Sequence, residues 1–434
     1  MKGKRISVGL GFSKNKNALE AAREAVKKAV QDCGGKPNFS IVYTNSEYPQ
    51  DEILKGINET LEKNWVGIST DKQFNSVSGH DKELVVSVLC IKSEYMHFGV
   101  GVAENYRKNP VESAEKATAE AMKNANPDKY VDAYIQFTRS KKHEYHKIVR
   151  TPPYFIITFI SGAKIIEGKP IPGLESEFVN GILEYTGPHI PIFGGSASSS
   201  FEKYLNENKA DNTQFANGKR YSGAGIVVFV ICNLYFATSV EHGYVTTNQY
   251  AAVTKLDPTG YEILEINGQE PIEEYSRLLG VSKKDYLKDP SKWSLSRPFG
   301  LVEADGTTHV KEALPNRDKK TLHSTFKLFP NCVMNILDYD KKKTFTTLST
   351  ALKKYKENTN SPISLALFCS CSGRRPLIAG KENSVVQDAK REAPKTAIFG
   401  FDSFGEVGAT QTSSAQCYSQ TVTSLVLYDA LLTE

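Results

Sequence analysis

The sequence predicts a mixed α/β (α+β) protein of internally repeated β-α-β units, forming helix-covered sheets in two associated halves. Three observations carry this. A strand with a Gly-x-Gly step, followed by a helix with an alanine face, is written twice near the start. A strand–helix–strand sentence ending in Gly plus a small polar residue appears three times. The composition is that of an ordinary globular chain: 434 residues, 40% apolar and 24% charged, with 31 Gly and 19 Pro. Such a chain buries a large core and is neither disordered nor fibrous.

Each element follows from its residues. Arg5 to Phe12 alternates as a strand carrying Gly9-Leu10-Gly11, and Ala18, Ala22, Ala25 and Ala29 then recur on one helix face. His97 to Ala103 carries Gly99-Val100-Gly101, and Pro110 opens a helix with Ala114, Ala117, Ala121 and Ala125 in line. Phe39 to Tyr43, Phe155 to Ile160 and Ser364 to Cys369 are apolar runs of strand length. Helices follow around Ile53-Ile57, Phe178-Ile182 and Lys381-Glu392, and strands then end at Val66-Thr70, Pro191-Ala197 and Ala397-Ser403. Glu83 to Ile91 and Gly225 to Asn233 add a strand to the first two units. Between Val253 and Met334 the texture becomes that of a strand-rich insertion, with an Asn267-Gly268 turn signal after Thr259 to Ile266 and a helix from Pro271 to Leu279. The expected division is residues 1–246 and 247–434.

Several classes of function are disfavoured. A net charge of +5, with no like-charge block longer than Lys341-Lys342-Lys343, gives no footprint for nucleic acid. The longest apolar stretch, Ala224 to Cys232, is too short for a membrane span, and no signal peptide is read at the N-terminus. Seven cysteines, an odd number mostly in strand-like runs, fit reduced thiols in a cytoplasm. The two Gly-x-Gly steps lack the third glycine of a dinucleotide fingerprint and are assigned to close packing. Cys369-Ser370-Cys371 has no second pair for zinc, so Cys369 is expected as a structural thiol and Cys371 as a loop thiol. His143-Glu144-Tyr145-His146 lies in a lysine-flanked run expected to be an exposed loop. Ser69 and Ser196 lack the Gly-x-Ser-x-Gly elbow of a hydrolase, and are expected as hydroxyls on a ligand-facing strand end.

Two features invite a ligand. Ser372-Gly373-Arg374 follows one strand and Gly400-Phe401-Asp402-Ser403-Phe404-Gly405-Glu406 follows its neighbour. Arg374 offers a fork for a carboxylate and Glu406 an anion for an ammonium, so the two can clamp a zwitterion. The alternative is a structural role, in which they pair with each other or Glu406 caps a backbone. His242, beside Gly243, is a ligand contact, a haem axial ligand or a hydrogen-bonded structural histidine.

These motifs resemble those of the FIST family. Val66 to Thr70, Pro191 to Ala197, His242-Gly243-Tyr244, Val253-Thr254, Glu265 to Pro271 with Tyr275, Phe368 to Arg374, Glu382 and Gly400 to Glu406 match its N- and C-terminal domains in order. The family often closes on His-Asn-x-Thr; here the stretch is Tyr418-Ser419-Gln420-Thr421, and only the Thr is kept. The resemblance implies an intracellular, cytoplasmic sensory module without turnover. It implies binding of a small ligand, such as an amino acid or related carboxylate, at strand ends near Arg374, Glu406, Phe401 and Ser372, with Ser196 and His242. The bound state would pass to a separate signalling protein, such as a histidine kinase or chemotaxis component. Some relatives bind haem and respond to nitric oxide, so a haem-based nitric oxide sensor is an alternative, with haem as the only cofactor considered and no metal site. A small-amide or ester hydrolase using a rim Ser or Cys371, and a ligand-free scaffold, are the others.

Overall fold

A computed structural model describes residues 4–80, 84–127, 129, 153–166, 169–200, 203, 207, 210–303, 306–316, 320–325, 327–410 and 413–432. The His143–His146 run lies outside these residues. The chain writes one unit three times: opening strand, helix, strand, helix, strand, hairpin, closing strand. The opening strands are Ser7–Ser13, Met96–Ala103 and Leu234–His242. The two parallel inner strands are Phe39–Asn45 with Trp65–Thr70, Tyr154–Ser161 with Ile192–Ala197, and Ile363–Cys371 with Ala397–Ser403. The closing strands Val86–Lys92, Gly225–Cys232 and Thr421–Leu431 each lie antiparallel between the opening strand and the first inner strand.

The third repeat is interrupted. Its opening strand ends at His242, and the chain leaves to build a seven-stranded sheet with strands from Tyr244–Leu256 to Val333–Tyr339. It then returns through the helix Thr347–Asn358. The Asn267-Gly268 turn forms, with φ of 51° and 74°, but only a single bridge, Ile266 to Gln269, follows it. Pro271 starts the expected helix there, because its ring has no N–H to continue a ladder. The strand Glu262–Ile266 pairs with Tyr244–Leu256 and Thr321–Ser324.

Each repeat lends its hairpin to a different repeat. Residues 214–221 of the second extend the sheet of the first, alongside Trp65–Thr70. The 406–418 hairpin of the third extends the second, alongside Ile192–Ala197. The 73–80 hairpin of the first extends the third, alongside Ala397–Ser403. The exchange closes a cycle, giving a pseudo-threefold body.

The three sheets share one core. Tyr43 of the first repeat stacks on Phe399 of the third at 4.4 Å and meets Phe159 of the second edge-on at 6.1 Å. The outer faces are covered by helices. An added Cβ at Gly9 or Gly11 would lie 2.1 or 2.0 Å from a carbonyl of the helix Ala18–Asp32. At Gly99 or Gly101 it would lie 2.1 or 1.9 Å from one of the helix Pro110–Ala125. The glycines are thus there for contact between strand and helix.

Candidate functional site

The ends of the inner strands meet near the pseudo-axis in a closed hydroxyl hub. Counted from Gly67, Gly194 and Gly400, the residues Ser69, Ser196 and Asp402 are equivalent. The Ser198 N–H donates to Ser69 O at 3.1 Å, and Ser198 Oγ donates to Asp402 O at 2.7 Å. Thr70 Oγ1 donates to the same carbonyl at 2.7 Å. Ser196, fully buried, donates from Oγ to Glu175 at 2.6 Å, and its N–H donates to Ser403 Oγ at 2.9 Å. These bonds tie the three repeats together, and Ser196 is a buried member of that tie.

Phe401 is also interior, its ring 4.7 Å from Tyr43 and 5.9 Å from Phe159. Cys371, expected in a loop, is instead the buried last residue of its strand. All seven cysteines are free and buried.

Arg374 is 1% exposed. A short 3₁₀ turn over Ser372–Arg374 aims it inward, where it donates to Ser370 Oγ at 3.0 Å, Thr344 O at 3.0 Å and Thr347 Oγ1 at 2.7 Å. Its neighbour Arg375 takes the carboxylates: it pairs with Asp71 of the first repeat and lies 3.8 Å from Asp402. Glu406 is fully buried and accepts on Oε2 from the Thr421 N–H at 3.2 Å and from Thr421 Oγ1 at 3.0 Å. Glu406 Oε1, Ser372 Oγ and Gln420 Oε1 are buried with no hydrogen-bond partner among the described residues. Burial pushes the Glu406 carboxyl up to about 8.

The open space lies beside this cluster. A cleft of about 740 Å³ runs between the strand Leu234–His242, the helix Thr347–Asn358 and the insertion at Gly306–Thr308. His242 lines it, as do Lys343, Lys354, Glu241 and Glu357. Hydroxyls, among them those of Thr238, Ser239, Thr308, Thr347, Thr350 and Thr410, line it as well. Through Thr347, Arg374 braces the cleft from behind. Lys354 Nζ donates to both oxygens of Glu241, at 2.7 and 2.9 Å. On the strand's other side, His242 is paired with Thr421, which holds Glu406.

His242 is half-buried, and burial, with Lys343 and Lys354 nearby, pushes its pKa down to about 4. Its Nδ1 accepts the Tyr244 N–H at 3.2 Å, which leaves the proton on Nε2. Haem iron needs an unprotonated ring nitrogen, so His242 in this arrangement does not fit an axial ligand. No group of three or more metal-ligating side chains is clustered among the described residues.

Of the residues sequence reasoning named, His242 lines the cleft, whereas Arg374 and Glu406, expected to clamp a ligand together, are both buried and bonded to other partners. That reasoning missed Lys343, Lys354, Thr347 and Thr350, because the short helix Lys341–Phe345 and the helix Thr347–Asn358 went unread. A signal was present: Leu348, Ala351, Leu352 and Tyr355 recur at helical spacing and are all buried. The helices that follow the first two opening strands required a third here.

No curated protein matches the sequence. Among solved structures, cyanuric acid hydrolase from A. caulinodans is 9% identical, covering 52% of this chain and 71% of its own, with a TM-score of 0.27. PurLQS from Thermotoga maritima is 9% identical over 98% of this chain and 72% of its own, with a TM-score of 0.22. Similarities of this size establish neither a common fold nor a common chemistry. Two families match directly: the FIST N domain over residues 38–269 and the FIST C domain over residues 271–409. FIST domains are sensory domains of signal transduction. Among the described residues, no helix is long and apolar enough to cross a membrane. The two matches span most of the chain, and it belongs to the FIST family.

Proposed function

We propose that this FIST protein senses an amino acid or related small carboxylate in the cleft beside the strand Leu234–His242, and passes the bound state to a separate signalling protein. The observation that carries the reading is the lining of that cleft. Lys343 offers a cation for a carboxylate and Glu357 an anion for an ammonium, the Lys354–Glu241 pair can open to a zwitterion in the same way, and hydroxyls surround them. Arg374 and Glu406 act behind the wall: Arg374 sets Thr347, and Glu406 anchors the strand that backs His242.

The walls suit a signal. One belongs to the third repeat and the other to the insertion, and the two join where Gly243 O accepts from the Asp340 N–H at 2.8 Å. A ligand touching both walls favours one arrangement of insertion and repeat, which a partner such as a histidine kinase or chemotaxis component can read.

The test is the thermal midpoint against free amino acids, related carboxylates and haemin. A ligand at 100 times its Kd stabilises by about 2.7 kcal/mol. The expected result is a selective rise with one zwitterion or carboxylate, lost in Lys354→Ala. A flat panel overturns the reading in favour of a ligand-free scaffold. A rise with haemin alone, with a Soret band, overturns it in favour of gas sensing. Turnover of an added amide or ester would make the protein a hydrolase.

A further inference from the structure

A second cleft, of about 540 Å³, opens between the first and second repeats, far in sequence from the first. Its lining is dominated by amides: Asn38, Asn64, Asn124, Asn126 and Asn217. They arrive from separate elements. Asn38 and Asn64 each precede an inner strand of the first repeat, Asn124 and Asn126 end the helix Pro110–Ala125, and Asn217 turns the 214–221 hairpin. Asn38 Oδ1 accepts from the Ser93 N–H at 2.6 Å, which leaves its NH₂ to spare. Asn124 Nδ2 donates to Val100 O at 2.8 Å, which leaves its oxygen to spare. The side chains of Asn64, Asn126 and Asn217 make no hydrogen bond among the described residues.

Backbone geometry explains part of this. Asn126 and Asn217 have φ of 55° and 52°, the left-handed region that asparagine tolerates. Asn38, Asn64 and Asn124 have no such need, yet they face the same space. The remaining wall holds His97, Met96 and a flat ring. Phe98 is half-buried and is held by stacking on buried Phe39, centroid to centroid at 4.4 Å and 4° from parallel. No carboxylate lines the cleft, and Lys63 is its one lysine. It thus lacks an anion for an ammonium and has a single flexible cation for a phosphate.

We propose that this cleft binds a neutral saccharide, with Phe98 against the C–H face of a sugar ring and the asparagine amides on its hydroxyls. A hydroxyl both donates and accepts, and side-chain amides do the same from one planar group. An aromatic ring gives the apolar face of a pyranose a surface to bury. The site is independent of the carboxylate cleft and stands whether or not that reading survives.

The experiment is a glycan array with the full chain, followed by titration calorimetry of the retained sugar. Asn64→Ala is the decisive variant, because Asn64 is exposed and its side chain holds nothing in the fold. The expected result is a bound neutral saccharide, weakened about tenfold by Asn64→Ala and by Phe98→Ala. Lys354→Ala, in the other cleft, leaves the affinity unchanged, and Asn64→Ala leaves the thermal midpoint unchanged. An empty array overturns the proposal. A sugar whose affinity ignores Asn64→Ala, or a nucleoside that binds in its place, overturns it equally.

Discussion

Glu406 and His242 are linked through Thr421, and burial drives their proton affinities in opposite senses. An unfolded glutamate titrates near 4.3, while Glu406 is held up at about 8. The native state therefore holds this proton more tightly. Its stabilising contribution is full below about 4.3 and is lost as pH rises through 8. An unfolded histidine titrates near 6.5, while His242 is pushed down to about 4. Its contribution is full above about 6.5 and is lost as pH falls through 4. Between those limits the two slopes oppose; from about 6.5 to 8 Glu406 acts without His242. Glu406→Gln should raise the thermal midpoint strongly at pH 8 and only slightly at pH 5. An equal shift at both pH values would show that the proton is not the cause. The sequence singled out Glu406 and His242 as ligand contacts; the structure buries the first and sets the second in the cleft wall. The sequence pointed to Arg374 as the fork for a carboxylate and passed over Arg375, because which of the two meets carboxylates depends on the rotation of one short turn after the strand. The turn sends Arg374 to Ser370, Thr344 and Thr347, and leaves Arg375 to Asp71 and Asp402.

The repeated strand–helix pair was the most legible element, because its packing is written in residue size. Glycines at alternate strand positions and alanines along one helix face are what a close approach of two backbones requires. Gly101→Ala places a methyl 1.9 Å from Ala117 O, a backbone atom that cannot move aside as a flexible side chain would. A loss of about 3 kcal/mol is expected by chemical denaturation. Gly34, where an added Cβ meets nothing within 4 Å, has a φ of 76°, so alanine there tests conformation alone. If Gly101→Ala costs no more than Gly34→Ala, the close contact is not the constraint. The third repeat lacks the Gly-x-Gly step on its opening strand, which reads Leu234-Tyr235-Phe236-Ala237. That absence, with the insertion between strand and helix, is why its first half was not read from the sequence. The Asn267-Gly268 signal identified a turn correctly, and the helix read from Pro271 to Leu279 follows it with those bounds.

At the scale of the whole molecule, the stability of one repeat is lodged in another. Phe74 belongs to the first repeat but lies in the outer core of the third, with Phe368 and Ile398, and its ring fills the space above Gly400. Phe74→Ala should cost about 3–5 kcal/mol. In hydrogen exchange, the loss of protection should appear in Ala397–Ser403 more than in Phe39–Asn45. Loss confined to the first repeat would contradict the exchange of hairpins. Pairing of this kind has no local sequence signal, because partners such as Phe401 and Gln73 are joined only by the cycle. The same cycle fixes an order of events during synthesis. The edge strand Trp65–Thr70 leaves the ribosome roughly 145 residues before the hairpin that covers it, a wait of roughly 10–30 s. Ile192–Ala197 waits longer still, for the hairpin that begins at Glu406. Exposed edges of this kind invite pairing with other nascent chains. Only the last sheet emerges to find its cover already made, in the 73–80 hairpin translated near the beginning.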